Sequence, residues 1–359
     1  MRGDRVAWCV MNLTTKNEVH ALMESAPTFA ILDGFQKAVS VLSKEQYQNI
    51  AVSISGGSDS DVVMDIIERV RKCVPDKKIT YVWFDTGLEY KATKQHLLYL
   101  EEKYGVTIQR HKAAKPIPTT VRKIGVPFLS KQVSEFISRL QSINFEWDEE
   151  TSFDVLWNKY RAQKSALKWW CNANGKSSRF NINYNKWLRE FLIANPPTFR
   201  IANKCCYYAK KTVSHQLIKT YGFDLMIVGV RRAEGGARVR IPSCFSSNPK
   251  SADSYRPIFW YKNADKKAYD YKFDISHSDC YTKYGLPRTG CCGCPCARGF
   301  EQELEIIKKY EPNMYKLCKN IFGISYEYTK EYRRFYQRME NKKILNDTYQ
   351  QMSIFDYLK

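Results

Sequence analysis

No apolar run in the 359 residues approaches the length that spans a membrane. Met1-Arg2-Gly3-Asp4 opens nothing like a secretion signal, so the expected location is cytoplasmic, with no membrane among the partners. Low-complexity tracts and internal repeats are lacking too, which excludes a repeat architecture. Acidic residues are scarce: 37 Asp and Glu face 57 Lys and Arg, a formal charge of +20 at pH 7. Such an excess suits a polyanionic partner, whose phosphates clustered cations neutralise with release of counterions, or small anionic substrates; a solvated surface of unusual composition accounts for it equally well. Without a secretion signal, 12 cysteines do not read as a disulfide framework, and where they cluster, metal or iron–sulfur chemistry is expected. The remaining composition is that of a folded protein, 44% hydrophobic and 26% charged, long enough for one large or two ordinary domains.

The organising stretch is Ser55-Gly56-Gly57-Ser58-Asp59-Ser60. It follows the apolar, β-branched run Ile50 to Ile54 and leads into residues 61 to 70, whose aliphatic side chains recur at helical spacing, so the local reading is strand, tight loop, helix. Two glycines let the backbone approach a ligand, the N–H groups of the helix's first turn point outward, and serine hydroxyls add donors, which together suit a phosphate. No Gly-Lys-Ser/Thr follows, so the loop is not a Walker A sequence. Asp59 instead sets a carboxylate beside the anion, sensible if Mg²⁺ lies between them. A Gly-Ser turn with an ordinary helix cap is the bland alternative.

Further strands are predicted at Lys78 to Phe84, at Val106 to Arg110 after a helix from Thr93 to Tyr104, and at Tyr221 to Val230. Strands alternating with helices make a parallel α/β sheet whose ligands sit at the strands' carboxyl ends, where Asp85, Arg231 and Arg232 fall. Glu18 to Met23 and Thr28 to Leu42 read as helices preceding it.

The pattern Ser-Gly-Gly-x-Asp-Ser resembles the loop of the ATP pyrophosphatases, enzymes that cleave ATP between the α- and β-phosphates and adenylate a substrate. The resemblance implies that Ser55, Gly56, Gly57, Ser58 and Ser60 hold pyrophosphate and Asp59 the metal. Asp85-Thr86-Gly87-Leu88-Glu89-Tyr90 is similar to the phosphoadenosine phosphosulfate reductase-like branch, adding Asp85, Thr86 and Gly87 to the nucleotide site. Gly125 to Lys131 also resembles that branch and makes Lys131 a phosphate contact, although a surface turn with a solvated lysine explains it as simply. The segment from Gly229 to Arg238 resembles the family's strand with following arginines, so Arg231, Arg232 and Arg238 are anion-binding candidates. The implied fold is α/β, a parallel twisted sheet of adenine nucleotide α-hydrolase (PP-loop) type with a helical insert and a helical C-terminal region. The expected divisions are a helical preface (1–48), a nucleotide-binding half (49–140), an insert (141–200), the rest of the sheet with the cysteine segments (201–300), a basic helical region (301–347) and a tail peptide (348–359).

The insert holds five of the eight tryptophans (Trp147, Trp157, Trp169, Trp170, Trp187), and between 151 and 190 eight Lys and Arg stand against two acids. Aromatic faces among cations suit unstacked bases and a phosphate backbone, and suit a helical lid with a buried aromatic seam just as well.

Cys205-Cys206 and Gly290-Cys291-Cys292-Gly293-Cys294-Pro295-Cys296 are separated by 84 residues, positions 207 to 290. Four thiolates from two short segments close a tetrahedral site, which zinc or an iron–sulfur cluster suits by ligand type. A Cys-Cys followed some eighty residues later by Cys-x-x-Cys resembles the 4Fe–4S signature of the adenylylsulfate reductase branch, which implies Cys205, Cys206, Cys291 and Cys294 as ligands. Cys280, Cys292 and Cys296 are extra and leave the assignment open, and the isolated Cys9, Cys73, Cys171, Cys244 and Cys318 read as small hydrophobes. The resemblance runs from about residue 50 to 300. The Glu-Cys-Gly-Leu-His tail of the reductases has no counterpart, because no cysteine follows Cys318.

Residues 301 to 346 read as basic amphipathic helices, and Gln351-Met352-Ser353-Ile354-Phe355 is similar to the bacterial sliding-clamp-binding peptide. The expected function is an ATP pyrophosphatase using ATP, Mg²⁺ and a 4Fe–4S cluster, with zinc as the alternative metal. It would adenylate a substrate for sulfur transfer in nucleic-acid modification, as in DNA phosphorothioation or tRNA thiolation. The expected partners are nucleic acid, DNA before tRNA, with a sliding clamp and a cysteine desulfurase as further candidates. A reductase of adenylylated sulfate and a non-catalytic nucleic-acid- or clamp-binding module on the same fold are the alternatives.

Overall fold

Ile50, Ala51 and Val52 are wholly buried at the centre of a sheet covered on both faces, which is why this run carries apolar side chains at successive positions rather than alternately. The computed structural model describes residues 13–74, 77–148 and 152–357, with the side chains of 13–15 and 346–357 outside that description. Cys9 and the side chains of the Gln351–Phe355 peptide therefore lie outside the described residues. The chain divides into two compact units, Met1–Pro116 with Tyr208–Cys292, and Ile117–Tyr207 with Gly293–Lys359.

The first unit begins with helices α1 (Leu13–Glu24) and α2 (Phe29–Leu42), the latter capped by Thr28, whose hydroxyl accepts from Ile31 N–H. Then come β1 (Asn49–Ser53), α3 (Ser58–Arg71), β2 (Lys78–Asp85), α4 (Lys91–Tyr104) and β3 (Ile108–Lys112). After the second unit's first segment, the chain returns through helix Thr212–Tyr221 to β4 (Leu225–Val228), β5 (Phe245–Ser246) and β6 (Asp253–Tyr255). The strand order is β3-β2-β1-β4-β6-β5, parallel throughout except for the β5–β6 pair. Strand order reverses between β1 and β4, and a doubly wound sheet opens its crevice at such a point, beyond the carboxyl ends.

Two details depart from the sequence reading. β3 starts at Ile108 rather than Val106, because Val106 N–H is occupied by Glu101 C=O, closing α4 over Gly105 at a left-handed φ of 62°. β5 and β6 are two and three residues long and largely polar, too short for a periodic signal.

The second unit is helical. Helices Lys131–Gln141, Phe153–Tyr160, Lys164–Trp170 and Leu188–Ala194 close over a core that includes Phe128, Ile137, Trp169, Trp170, Phe191 and, from the long helix Pro312–Tyr357, Tyr328 and Tyr332. Phe136 stacks on Trp169 with ring centroids 5.2 Å apart. Trp169 and Trp170 are thus seam, not platform; Trp147 and Trp157 pack against the same core, and Trp187 donates from Nε1 to Glu340. Helix Pro312–Tyr357 continues through Gln351–Phe355. Among the described residues, no helix is long and apolar enough to cross a membrane.

Candidate functional site

In the first unit the loop leaves β1 at the crevice. Gly56 adopts φ 68°, and Gly57 caps α3. Ser60 Oγ, buried, holds the turn: it donates to Gly57 C=O at 2.7 Å and accepts from Gly57 N–H at 3.1 Å and Ser55 N–H at 3.2 Å. Tyr281 OH accepts from Ser58 N–H at 3.0 Å and from Thr289 N–H at 3.2 Å, tying the loop to the segment that leads to Cys291. Gly229, just past β4, is required by close approach, since a Cβ there would lie 3.1 Å from the Asp59 carbonyl and from Ser60 N.

Asp59 is paired with Arg231, whose Nε lies 2.8 and 2.9 Å from its two carboxylate oxygens, and Arg231 Nη1 donates to Asn263. Asp85 Oδ1 accepts from Gly87 N–H at 2.9 Å. Thr86 is buried and donates to Glu89, whose carboxyl burial pushes above the ordinary range against the Lys210 charge and the Thr86 hydrogen bonds. A cavity of about 640 Å³ opens over these strand ends, lined among others by Ser55, Glu89, Lys210, Lys211, His215 and Thr289. The volume falls within the range of small-molecule sites.

Beneath the loop, Asp61 is buried between two histidines. His277 Nδ1 lies 2.8 Å from Asp61 Oδ2, His277 Nε2 lies 3.1 Å from Asp270, and His96 Nε2 approaches Asp61 Oδ1 to 3.1 Å, a charge contact without hydrogen-bond alignment. Burial works to raise the Asp61 carboxyl, but His277 and His96 hold it below the usual value. Burial works to lower His277, and Asp270 with Asp61 pushes it up to about 9. Its unfolded value is about 6.5. The stabilisation from His277 is therefore complete below about pH 6.5 and declines as pH rises through 9, while that from Asp61 is lost only in acid. The thermal midpoint is expected to fall between pH 7 and 10, and His277→Gln to flatten that slope; an equally steep slope in the variant would remove His277 as its cause.

In the second unit, Leu129 at φ 56° turns the chain so that Ser130 caps helix Lys131–Gln141, with Lys131 as its first residue. Burial of the Lys131 ammonium works to lower its pKa, and Cys206, by charge and a hydrogen bond, with Cys294 and Cys296, outweighs this and raises it. Of the coupled pair, Cys294 ionises first, because Cys296 donates to it; Cys296 is held high by that bond, by burial and by the charges of Cys294 and Cys205. Gly293, at φ 61°, brings the segment in where a Cβ would lie 2.8 Å from Cys318 Sγ. Lys131 thus interacts electrostatically with Cys206, Cys294 and Cys296, and Cys296 with Cys205. Cys291 belongs to the first unit, its Sγ 4.0 Å from Thr86 Oγ1. Among the described residues, no three His, Cys, Asp or Glu side chains are arranged to hold a metal ion.

Residues 49–142 match the phosphoadenosine phosphosulfate reductase domain. No curated protein sequence matches the chain. Solved structures of similar shape include phosphoadenylyl-sulfate reductase from Candida auris in a phosphate complex, at 12% identity over 76% of this chain and 93% of that one, TM-score 0.38. The U34-tRNA thiolase NcsA from Methanococcus maripaludis with its 4Fe–4S cluster gives 11%, 82%, 78% and 0.37, and Candida glabrata FMN adenylyltransferase 9%, 77%, 68% and 0.40.

The reductase-type domain match spans Ser55 to Ser60, Asp85 to Gly87 and Lys131. The first unit gathers the loop with Asp85, Thr86, Gly87, Arg231 and Arg232, the last set over Trp260, whereas Arg238 pairs with Glu234 at 3.0 Å. Lys131 lies in the other unit, among thiols. Sequence reasoning passed over Lys210, Lys211, His215, Glu89 and Tyr281. The two lysines stand four and five residues past Cys206, a proximity that was a usable signal; Tyr281 meets the loop from 223 residues away, and the resemblance of the stretch from Tyr281 to Cys291 to the same family flags the segment without this contact.

Proposed function

We propose that the protein is an ATP pyrophosphatase that adenylates a nucleic-acid acceptor for sulfur transfer. The observation that supports this most is the serine and glycine loop at the sheet's reversal point, facing a cavity with Lys210 and Lys211 on its wall. An acceptor oxygen attacks the α-phosphorus of ATP, the bond to the bridging oxygen breaks, and pyrophosphate leaves with the electron pair. Loop N–H groups now bonded to Ser60 Oγ turn to the phosphate oxygens, and the two lysines with Arg232 offset the leaving group's charge. Asp59 and Asp85 suit Mg²⁺, which at nucleotide sites takes one or two carboxylates and draws its other ligands from phosphate and water. Asp59 is the acidic residue of the loop and would exchange Arg231 for the ion.

Cys205, Cys206, Cys294 and Cys296 would be the donors, thiols being what an iron–sulfur cluster takes, with Lys131 offsetting the negative charge. A bound cluster would supply sulfur handling or electron transfer there. Nucleic acid as acceptor rests on the charge of +20. A sliding clamp at Gln351–Phe355 and a cysteine desulfurase as sulfur source complete the proposal.

Protein purified without oxygen, given ATP, Mg²⁺ and single-stranded or duplex DNA or tRNA, should release pyrophosphate. No release with any of these acceptors would count decisively against the reading. The family match gives a second reading weight, reduction of adenylylated sulfate, and sulfite release with a thiol donor would establish it instead.

A further inference from the structure

We propose that a pocket of about 470 Å³ in the second unit, lined by Lys131, Gln132, Arg139, Asn174, Phe180 and Asn203 among others, receives one unstacked nucleobase of a nucleic-acid strand. This deepens the proposed function and rests on it, by naming where the acceptor enters relative to the thiols. Phe180 is 39% exposed, and the Arg179 guanidinium lies 5.6 Å from its centroid. An exposed ring beside a guanidinium offers a stacking surface to any base. Phe136, also in the lining, is stacked on buried Trp169.

Three amides edge the space, each fixed through its nitrogen. Gln132 Nε2 donates to Arg179 C=O at 2.9 Å, Asn174 Nδ2 to Phe180 C=O at 2.8 Å, and Asn203 Nδ2 to Lys131 C=O at 2.9 Å. None of these bonds uses an amide oxygen, so the oxygens stand as acceptors for a base's ring N–H or exocyclic amine. The one acid of the lining, Glu135, accepts from Arg139 at 2.8 and 3.0 Å and has Lys204 4.0 Å away, which leaves the wall cationic, as a neighbouring phosphate requires. The volume holds a base with its sugar. Lys131 belongs both to this wall and to the group of Cys206, Cys294 and Cys296, so a base seated here lies next to the thiols. A small sulfur donor has no use for an aromatic wall and three amides, whereas a base uses both.

The test is the affinity of the full chain for a short dye-labelled single-stranded oligonucleotide, read by fluorescence anisotropy without ATP. Alanine substitution of a base-stacking aromatic costs about 1–3 kcal/mol, so Phe180→Ala is expected to weaken binding by about 5- to 150-fold and Phe180→Trp to preserve it. Asn174→Ala gives an independent variant, expected to weaken binding in the same direction, and the thermal midpoint of each reports folding. Wild-type affinity in folded Phe180→Ala, or no oligonucleotide binding by the wild type, overturns the proposal. Displacement of the oligonucleotide from this site by a low-molecular-weight persulfide would assign the pocket to a sulfur donor and overturn it too. Pyrophosphate release is measured separately. Release that persists while Phe180 proves irrelevant removes the pocket and keeps the function; no release removes the function itself.

Discussion

Asp59→Asn is expected to lower pyrophosphate release by about 10²- to 10³-fold, since a metal ligand at a reacting phosphate contributes several kcal/mol and each 1.36 kcal/mol is tenfold. The substitution keeps the size of the side chain and removes its charge, so the first turn of α3 remains while the proposed ion would lose its anchor in the loop. Arg231 keeps Asn263 as a partner, which limits the loss of stability when its carboxylate goes. Pyrophosphate assays at saturating ATP and Mg²⁺, beside a thermal melt, separate the two effects. Undiminished turnover in a folded Asp59→Asn protein would move the metal elsewhere, with Asp85 the next candidate. Ser60→Ala provides the control on loop geometry, because Ser60 Oγ organises three of the loop's bonds rather than carrying charge.

If these thiols hold the proposed cluster, Cys206→Ala and Cys294→Ala should each strip the protein of most of its iron and acid-labile sulfide and of its visible absorption. A cluster held by four thiolates tolerates the loss of one poorly, and both residues share the Lys131 charge. Comparing Cys291→Ala with Cys296→Ala then decides the fourth ligand. Zinc in place of iron in the native protein would overturn the cluster while leaving the same thiols in place.

The loop and its strand were legible because a buried parallel strand is apolar at successive positions and because two adjacent glycines before a helix have few other uses. The arginines after β4 were legible for a related reason, their place at a strand's carboxyl end. Of the thiols, spacing selected two short segments, but no local signal marks the boundary after Cys292 that sets Cys291 and Cys294 in different units. Asp61 was invisible, since an acid in the first turn of a helix reads as a solvated end, and its burial is explained by His96 together with His277, which arrives from 216 residues away. The tryptophans left two readings open, because rings among cations look the same in a sequence whether they face a solvent channel or a core.

Each unit is assembled from two pieces of chain with a piece of the other between them. β1, β2 and β3 emerge from the ribosome early, yet β1 lacks its second neighbour until β4, beyond residue 224, has been made. The nascent sheet must therefore wait with an open edge while the helical segment is synthesised, which makes this half of the molecule slow to fold and exposed to mispairing during its own translation.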